Sequence, residues 1–443
     1  MSDPTYDVII TGCGPSGGTP SVRCLTRPKE STFQPPCNCC MATADPQDKL
    51  GHGGLRNYRS NTSGVVVKTW PDGRKSTIVI DCGKTWHERI ALVFPENGLR
   101  KIDAVLLTHE HADAILGVGD LRHFTLYGEI QESVPIWLDR ATYDIFATRF
   151  PYLMGDGNTR SAGQQSSLTF HVFEYGETLE IAGMKIRPLP VFHGSASKTI
   201  ISDDPDMPPT VVTEKMVAAA FEFDDDQLLW MSDVNEITDP TWEMLKYPQQ
   251  QQVQPKWKSE PGAVAKRQIE RKIKVTDEGE YDSGLDDDTD DVQVTTQIVK
   301  SPARDSDDVP SISPLGVSST ADHYKLVIMD GTNLEGTRTH FGIPEWMSTG
   351  LRLQADKMVL VQIEHRMSYG ELFALGLEIQ GRRSKGQHEE FIQKAKALCS
   401  KEPGLWEKCM AERFWVRPGY DGQRFRIEPG CLPIETLPQA YLS

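Results

Sequence analysis

The chain has 443 residues, a net charge of −16, 25% charged and 38% hydrophobic residues, and nine cysteines. That length is enough to bury a full core, as one large domain with insertions or as two. The acidity argues against broad, nonspecific binding to nucleic acid or to an anionic membrane. No apolar run approaches the ~18 residues of a spanning helix, and the start lacks a basic-then-apolar signal. The expected compartment is therefore cytoplasmic or nuclear, and the odd cysteine count suits free thiols and metal ligands better than a disulfide framework.

The first apolar stretch runs into Gly12-Cys13-Gly14-Pro15-Ser16-Gly17. This spacing imitates a dinucleotide-binding fingerprint, but that motif needs a helix opening at its third glycine. Gly18-Thr19-Pro20-Ser21 follows instead, without helical periodicity. Next come Cys24, Cys37, Cys39 and Cys40, whose short spacing reads as a structural zinc site, with unmetallated thiols as the alternative. His52, in a glycine-rich loop, is a further candidate ligand, though nothing in the sequence selects it.

Residues 64–69 and 76–80 read as a β-hairpin around Pro71-Asp72-Gly73, ending at Asp81-Cys82-Gly83, where Asp81 is expected to brace a loop. The apolar run 104–107 has the length of a buried strand and ends in Thr108-His109-Glu110-His111-Ala112-Asp113 before an apolar-periodic segment resumes at Ile115. Two imidazoles at i and i+2, with a carboxylate two further on, can converge on a metal from a tight turn.

Residues 134–138 are expected as a strand and 140–149 as a helix. The strand 183–191 is expected to end in Phe192-His193-Gly194, presenting His193 as His109 and His111 are presented. A hairpin of 221–223 and 228–231 leads to Ser232-Asp233, another polar residue after an apolar strand. From 249 to 320 the composition turns acidic and low in complexity, as in QQQQVQP and DEGEYDSGLDDDTDDV, which is expected to be a disordered insertion. Residues 324–329 form a strand, 345–357 a helix preceded by His340, 358–363 a strand before Glu364-His365, and 389–398 an amphipathic helix.

His109-Glu110-His111-Ala112-Asp113-Ala114 resembles the H-x-H-x-D-H signature of the metallo-β-lactamase superfamily, with Ala114 where the last His would stand. The glycine-rich start and cysteine group resemble the branch that includes PhnP and tRNase Z. The resemblance implies a four-layer αββα sandwich of α/β class, formed by residues 1–248 and 321–443 together and interrupted by the disordered acidic insertion. It implies a metal at His109, His111 and His193, and a second at Asp113, Asp233 and His365, with Asp233 bridging. One or two Zn2+ are expected, with Mn2+ as a substitute, besides a structural Zn2+ at the cysteines.

The resemblance also implies catalytic roles for Asp113, which orients water, and His340, which protonates the leaving group. Val416-Arg417-Pro418-Gly419-Tyr420-Asp421-Gly422 resembles the family's closing strand and Y-D-G. The expected activity is metal-dependent hydrolysis of a small or cyclic phosphodiester. A thioester or lactone hydrolase on the same site, or a non-catalytic scaffold, are the alternatives.

Overall fold

A computed structural model describes residues 3–28, 30–31, 37–45, 47–49, 51–154, 167–200, 210–246, 324–383 and 386–436. Strand β1 (Thr5–Gly12) is followed by two single-turn helices, α1 (Val22–Leu25) and α2 (Asn38–Ala42), which carry the cysteine group. Then come β2 (Ser63–Thr69), β3 (Lys75–Ile80), α3 (Trp86–Glu96), β4 (Ala104–Leu106), α4 (Ala112–Ile115), α5 (Arg122–Thr125), β5 (Val134–Leu138), α6 (Arg140–Arg149) and β6 (Leu168–Val172). The second half holds β7 (Leu179–Ile181), β8 (Met184–Ile200), β9 (Thr210–Phe223), β10 (Leu228–Met231), α7 (Asp239–Lys246), β11 (Leu326–Asp330), α8 (Ile343–Leu353) and β12 (Lys357–Val361). Helices α9 (Tyr369–Ile379), α10 (Glu389–Cys399) and α11 (Leu405–Glu412) precede β13 (Val416–Pro418), β14 (Gln423–Ile427) and β15 (Ile434–Thr436).

The strands form two mixed sheets, one in the order β15-β14-β1-β2-β3-β4-β5-β6 and one in the order β13-β12-β11-β10-β9-β8-β7. Alternate residues of each central strand point to opposite faces. Val8, Ile78, Ile80 and Leu106 of the first sheet therefore meet Phe221, Trp230, Ile328 and Val361 of the second between the sheets. Their neighbours Ile9, Val79 and Val105 pack outward under Trp86, Ile90 and Phe94 of α3. Leu229, Val327 and Leu360 pack outward under Trp346 of α8, Leu375 of α9 and Phe391 of α10. Strands buried on both faces read as unbroken apolar runs, which is why these segments stand out in the sequence.

Strands β3, β4, β5 and β6 are parallel in one sheet, as are β10, β11, β12 and β13 in the other. Crossovers that place helices on the outer faces leave the carboxyl ends of such strands free to carry polar groups. Residues that follow them include Asp81, Thr108-His109, Asp233 and Gln362. Strands β10 and β11 pair side by side, Leu228 opposite Leu326, although residues 247–323 lie between them in the chain. The acidic insertion expected at 249–320 falls outside the described residues.

As the sequence suggests, no helix opens at Gly17; the backbone at Gly12 and Gly14 is pressed so close to Asn61 and Arg59 that a Cβ would clash, so the glycines serve chain packing. Three local expectations change. The segment after Asp113 breaks into α4, a 3-10 turn at Val118–Leu121 and α5. Helix α8 stops at Leu353 because Gln354 turns left-handed at φ 51°. Strand β8 does not end at His193: it continues to Ile200 through a register shift between Phe192 and Ser195, with Gly194 at φ 81°. A bulge of this kind re-aims the side chain it carries.

Candidate metal centre

The site grows out of strand ends braced by buried hydrogen bonds. Asp81, at φ 58°, accepts from the Thr108 amide and from the Thr108 hydroxyl, each at 2.8 Å. With its proton committed to Asp81, the Thr108 oxygen can only accept from His109 Nδ1, 2.8 Å away. His109 must then carry its proton on Nδ1 and leave Nε2 as a bare lone pair. That Nε2 is buried and has no partner. His193 is fixed in the same sense, because Nδ1 donates to the Thr339 carbonyl at 2.7 Å and its Nε2 lies 3.2 Å from His111 Nδ1.

One nitrogen from each of His109, His111 and His193 lies within 4.8 Å of the other two. Their ring centroids are 4.6, 4.9 and 5.1 Å apart in edge-on pairs. Asp233 Oδ1 stands 3.8 Å from His193 Nε2. Burial pushes the His109 imidazolium well below its ordinary pKa and lowers that of His193, so both rings are in the neutral form that binds metal. Burial opposes the charge on Asp233, yet its carboxyl is held below the usual range by the surrounding histidines, of which His340 is the one that keeps its proton. A fully buried imidazole with an orphaned lone pair, two more beside it and a carboxylate at the rim match the donor set of a zinc-like cation.

The second set expected from the sequence does not assemble. Asp113 and Asp233 are brought together, but His365 is not with them: its Nδ1 lies 3.2 Å from Cys37 Sγ and 3.6 Å from Cys24 Sγ. His365 is thus the fourth member of the cysteine group, Cys24, Cys37, Cys40 and His365, whose ligand atoms all lie within 4.8 Å of one another. The reason is that β12 ends at Val361, two residues earlier than the apolar run suggests, and the chain turns away before His365 is reached. Cys39 leaves the group as well, since its thiol donates to Asn57 Oδ1 and burial pushes it up to about 11. Cys24 and Cys37 sulfurs are 3.8 Å apart. Two thiolates bound tetrahedrally to one zinc are separated by about 3.8 Å. Cys37 is held down to about 4, first by the side-chain hydrogen bond from Cys40, with burial opposing.

Gln362 takes the position over the pocket. It is buried at φ 59°, and its Nε2 donates to Asp233 Oδ1 at 2.7 Å and approaches Asp113 Oδ2 at 3.4 Å. Gln362 Oε1, Asp113 Oδ1 and Asp233 Oδ2 are all buried without partners. Burial, and then the neighbouring Asp233, raises the Asp113 carboxyl. Ala114 packs away into the outer apolar cluster with Cys82 and Trp86. Two carboxylates joined by a neutral amide are a poor match for a second cation that needs imidazole ligands.

His340 closes the rim, its ring centroid 4.7 Å from that of His193. Nδ1 donates to Asp330 Oδ2 at 2.7 Å, while Asp330 is itself fixed by the Thr332 amide and hydroxyl and the Val234 amide. Burial works against a charge on His340, but the Asp330 carboxylate outweighs it and the imidazolium is pushed up to about 9. Asp330 as the orienting partner is legible in sequence only as a polar residue ending an apolar strand.

A pocket between two sheets, lined by side chains that could hold a metal ion, is what the fold defines. Residues 76–251 match the family model of the β-lactamase superfamily domain, and the two mixed sheets with helices on their outer faces have the metallo-β-lactamase fold. Its fold resembles the crystal structure of a diphosphatase from the PhnP family, with a TM-score of 0.52, 16% identity, and 96% of this chain and 98% of that one covered. Yeast PDE1 aligns over 96% of this chain and 99% of its own at 10% identity with a TM-score of 0.44. A curated octanoyltransferase from Porphyromonas gingivalis is 26% identical over 188 residues, covering 42% of this chain. The chain spans 30% of the length of that relative. Among the described residues, no helix is long and apolar enough to cross a membrane.

Proposed function

We propose that the protein hydrolyses a small or cyclic phosphodiester at a divalent cation, Zn2+ or Mn2+, held by His109, His111, His193 and Asp233. The observation that carries the phosphodiester reading is the His340–Asp330 pair set against the histidine cluster. A phosphodiester expels a poor alkoxide leaving group, which needs a proton as the P–O bond breaks. His340, charged through Asp330, is an acid within reach of the cluster. When bound, the ion would supply Lewis-acid polarisation of a phosphoryl oxygen and acidify a water.

The protein groups do the rest. Asp113 Oδ1, buried and unpartnered, accepts a proton of the attacking water and orients it. Asp81 and Thr108 keep His109 in its ligand tautomer, and the Thr339 carbonyl does the same for His193. A second zinc held by Cys24, Cys37, Cys40 and His365 would be structural, because four protein ligands leave no open position.

The test is turnover of bis-p-nitrophenyl phosphate beside a thioester and a lactone, with metal content assayed. Thioester or lactone cleavage without phosphodiester turnover, after zinc or manganese is restored, would sink this reading. With His340→Ala, hydrolysis of an alkyl phosphodiester is expected to fall about 10²-fold or more, whereas p-nitrophenolate release, which needs little protonation, falls far less. Equal losses for the two leaving groups would remove His340 from the acid role.

A further inference from the structure

We propose that the pocket is built for one cation only and that the Gln362 carboxamide stands where a second would sit, tying Asp113 to Asp233. The inference rests on the reading of His109, His111 and His193 as metal ligands, and concerns what lies beside them.

Asp113 and Asp233 are 5% and 3% exposed, so neither carboxylate can rely on water for its partners. Two such groups facing one another need something positive or a hydrogen-bond donor between them. The only side-chain donor the structure gives both, among the described residues, is Gln362 Nε2, at 2.7 Å from Asp233 Oδ1 and 3.4 Å from Asp113 Oδ2. Gln362 is itself held in place: its backbone N–H donates to Thr62 Oγ1, and its left-handed φ of 59° turns the chain directly after β12. The side chain therefore enters the pocket from a fixed backbone.

The ligand inventory agrees. Every imidazole at the pocket belongs to the His109, His111 and His193 group or to the His193, Asp233 and His340 group. Asp113 joins neither, and His365 is committed to the cysteines. Ala114, the remaining position at which the motif could place a ligand, has no donor atom and is 1% exposed in the apolar layer. A second ion would have to displace the Gln362 amide and then find only two carboxylates. A carboxamide oxygen is a weak ligand for zinc compared with imidazole or thiolate.

The chemical consequence is that one ion, not two, would be available to polarise the phosphoryl group. Stabilisation of the leaving oxygen then falls to His340 rather than being shared with a second cation. This makes the His340 dependence on leaving group steeper than a two-ion site would show.

Manganese distinguishes the cases, because two Mn2+ about 3.5–4 Å apart are spin-coupled while one is not. Metal-stripped full-length protein would be titrated with Mn2+ and followed by electron paramagnetic resonance and by bound metal per chain. The expected result is one His193-dependent equivalent with an uncoupled six-line spectrum, lost in His193→Ala, apart from any ion that the cysteine group takes up in both proteins. A coupled multiline spectrum in the natural protein, with two equivalents lost together in His193→Ala, overturns the proposal. Identical Mn2+ uptake by the natural protein and His193→Ala would overturn the metal reading on which it rests.

A second variant tests the amide itself. Gln362→Glu removes the donor and adds a third buried carboxylate, so it is expected to take up a second Mn2+ and to show coupling. If a folded Gln362→Glu protein, judged by its thermal transition, binds no more Mn2+ than the natural one, the amide is not what excludes the second ion.

Discussion

Individual hydrogen bonds decide the chemistry of this pocket more than the identities of its ligands do. His109 can serve as a ligand because Thr108 accepts from its Nδ1, and Thr108 can only accept because Asp81 takes the hydroxyl proton. Thr108→Val keeps the shape and deletes that oxygen. It is expected to weaken the pocket metal about 10- to 100-fold, measured by competition with a chelator of known affinity. An unchanged affinity would mean that the ring is oriented by packing alone. The candidate ligands His109, His111, His193 and Asp233 are legible in the sequence because each follows an apolar run that ends in polar residues. Gln362 is not, since an amide is seldom read as a pocket residue and the true strand end lies two positions before the apparent one. Cys39 misleads for a helical reason. Cys37 caps α2 and Cys40 lies three residues on, on the same side, while Cys39 faces Asn57.

At the scale of elements, the loop between β12 and α9 carries both Gln362 and His365 and so joins the pocket to the cysteine group three residues away. Arg59, 1% exposed, holds that loop by donating to the carbonyls of Ile363, Glu364 and Met367. Arg59→Met would remove this donor from all three carbonyls, of which only Glu364 keeps another, the Met367 amide, and is expected to cost about 3 kcal/mol or more in urea unfolding. A loss below about 1 kcal/mol would show that water replaces the guanidinium. Stripping metal from the cysteine group, or Cys37→Ser, is expected to lower the thermal midpoint and also to reduce pocket affinity, because His365 anchors the loop that presents Gln362. An intact pocket affinity after loss of the cysteine-bound metal would separate the two sites. No sequence signal announces Arg59, three of whose acceptors are carbonyls about 300 positions away in the chain.

Over the whole molecule, the first and last segments close one sheet: β1 pairs with β14, and Asp7 is clamped by Arg424 and Arg426. The Tyr420-Asp421-Gly422 turn is part of the same closure. Asp421 accepts from the amides of Cys13 and Ser60, which holds the glycine-rich turn against the start of β2. Asp421→Ala removes both acceptors and is expected to destabilise the fold by about 2–4 kcal/mol, read from the urea midpoint at unchanged slope. The layered architecture was legible because its central strands are apolar on both faces. The short edge strands β7 and β15 were not, since three residues carry too little periodicity to be read.

The pairing of β10 with β11 has a practical consequence. Residues 247–323 leave from α7, whose Trp242 and Leu245 are buried, and the described chain resumes at Tyr324, buried and bonded to Glu222. Both borders are thus anchored independently of whatever joins them. A folded guest protein with neighbouring termini, a fluorescent reporter for example, can be spliced into this seam in place of 247–323. The hybrid is expected to melt as the parent does and to keep its pocket metal. The seam would then serve as a handle for reporting on the protein in living cells.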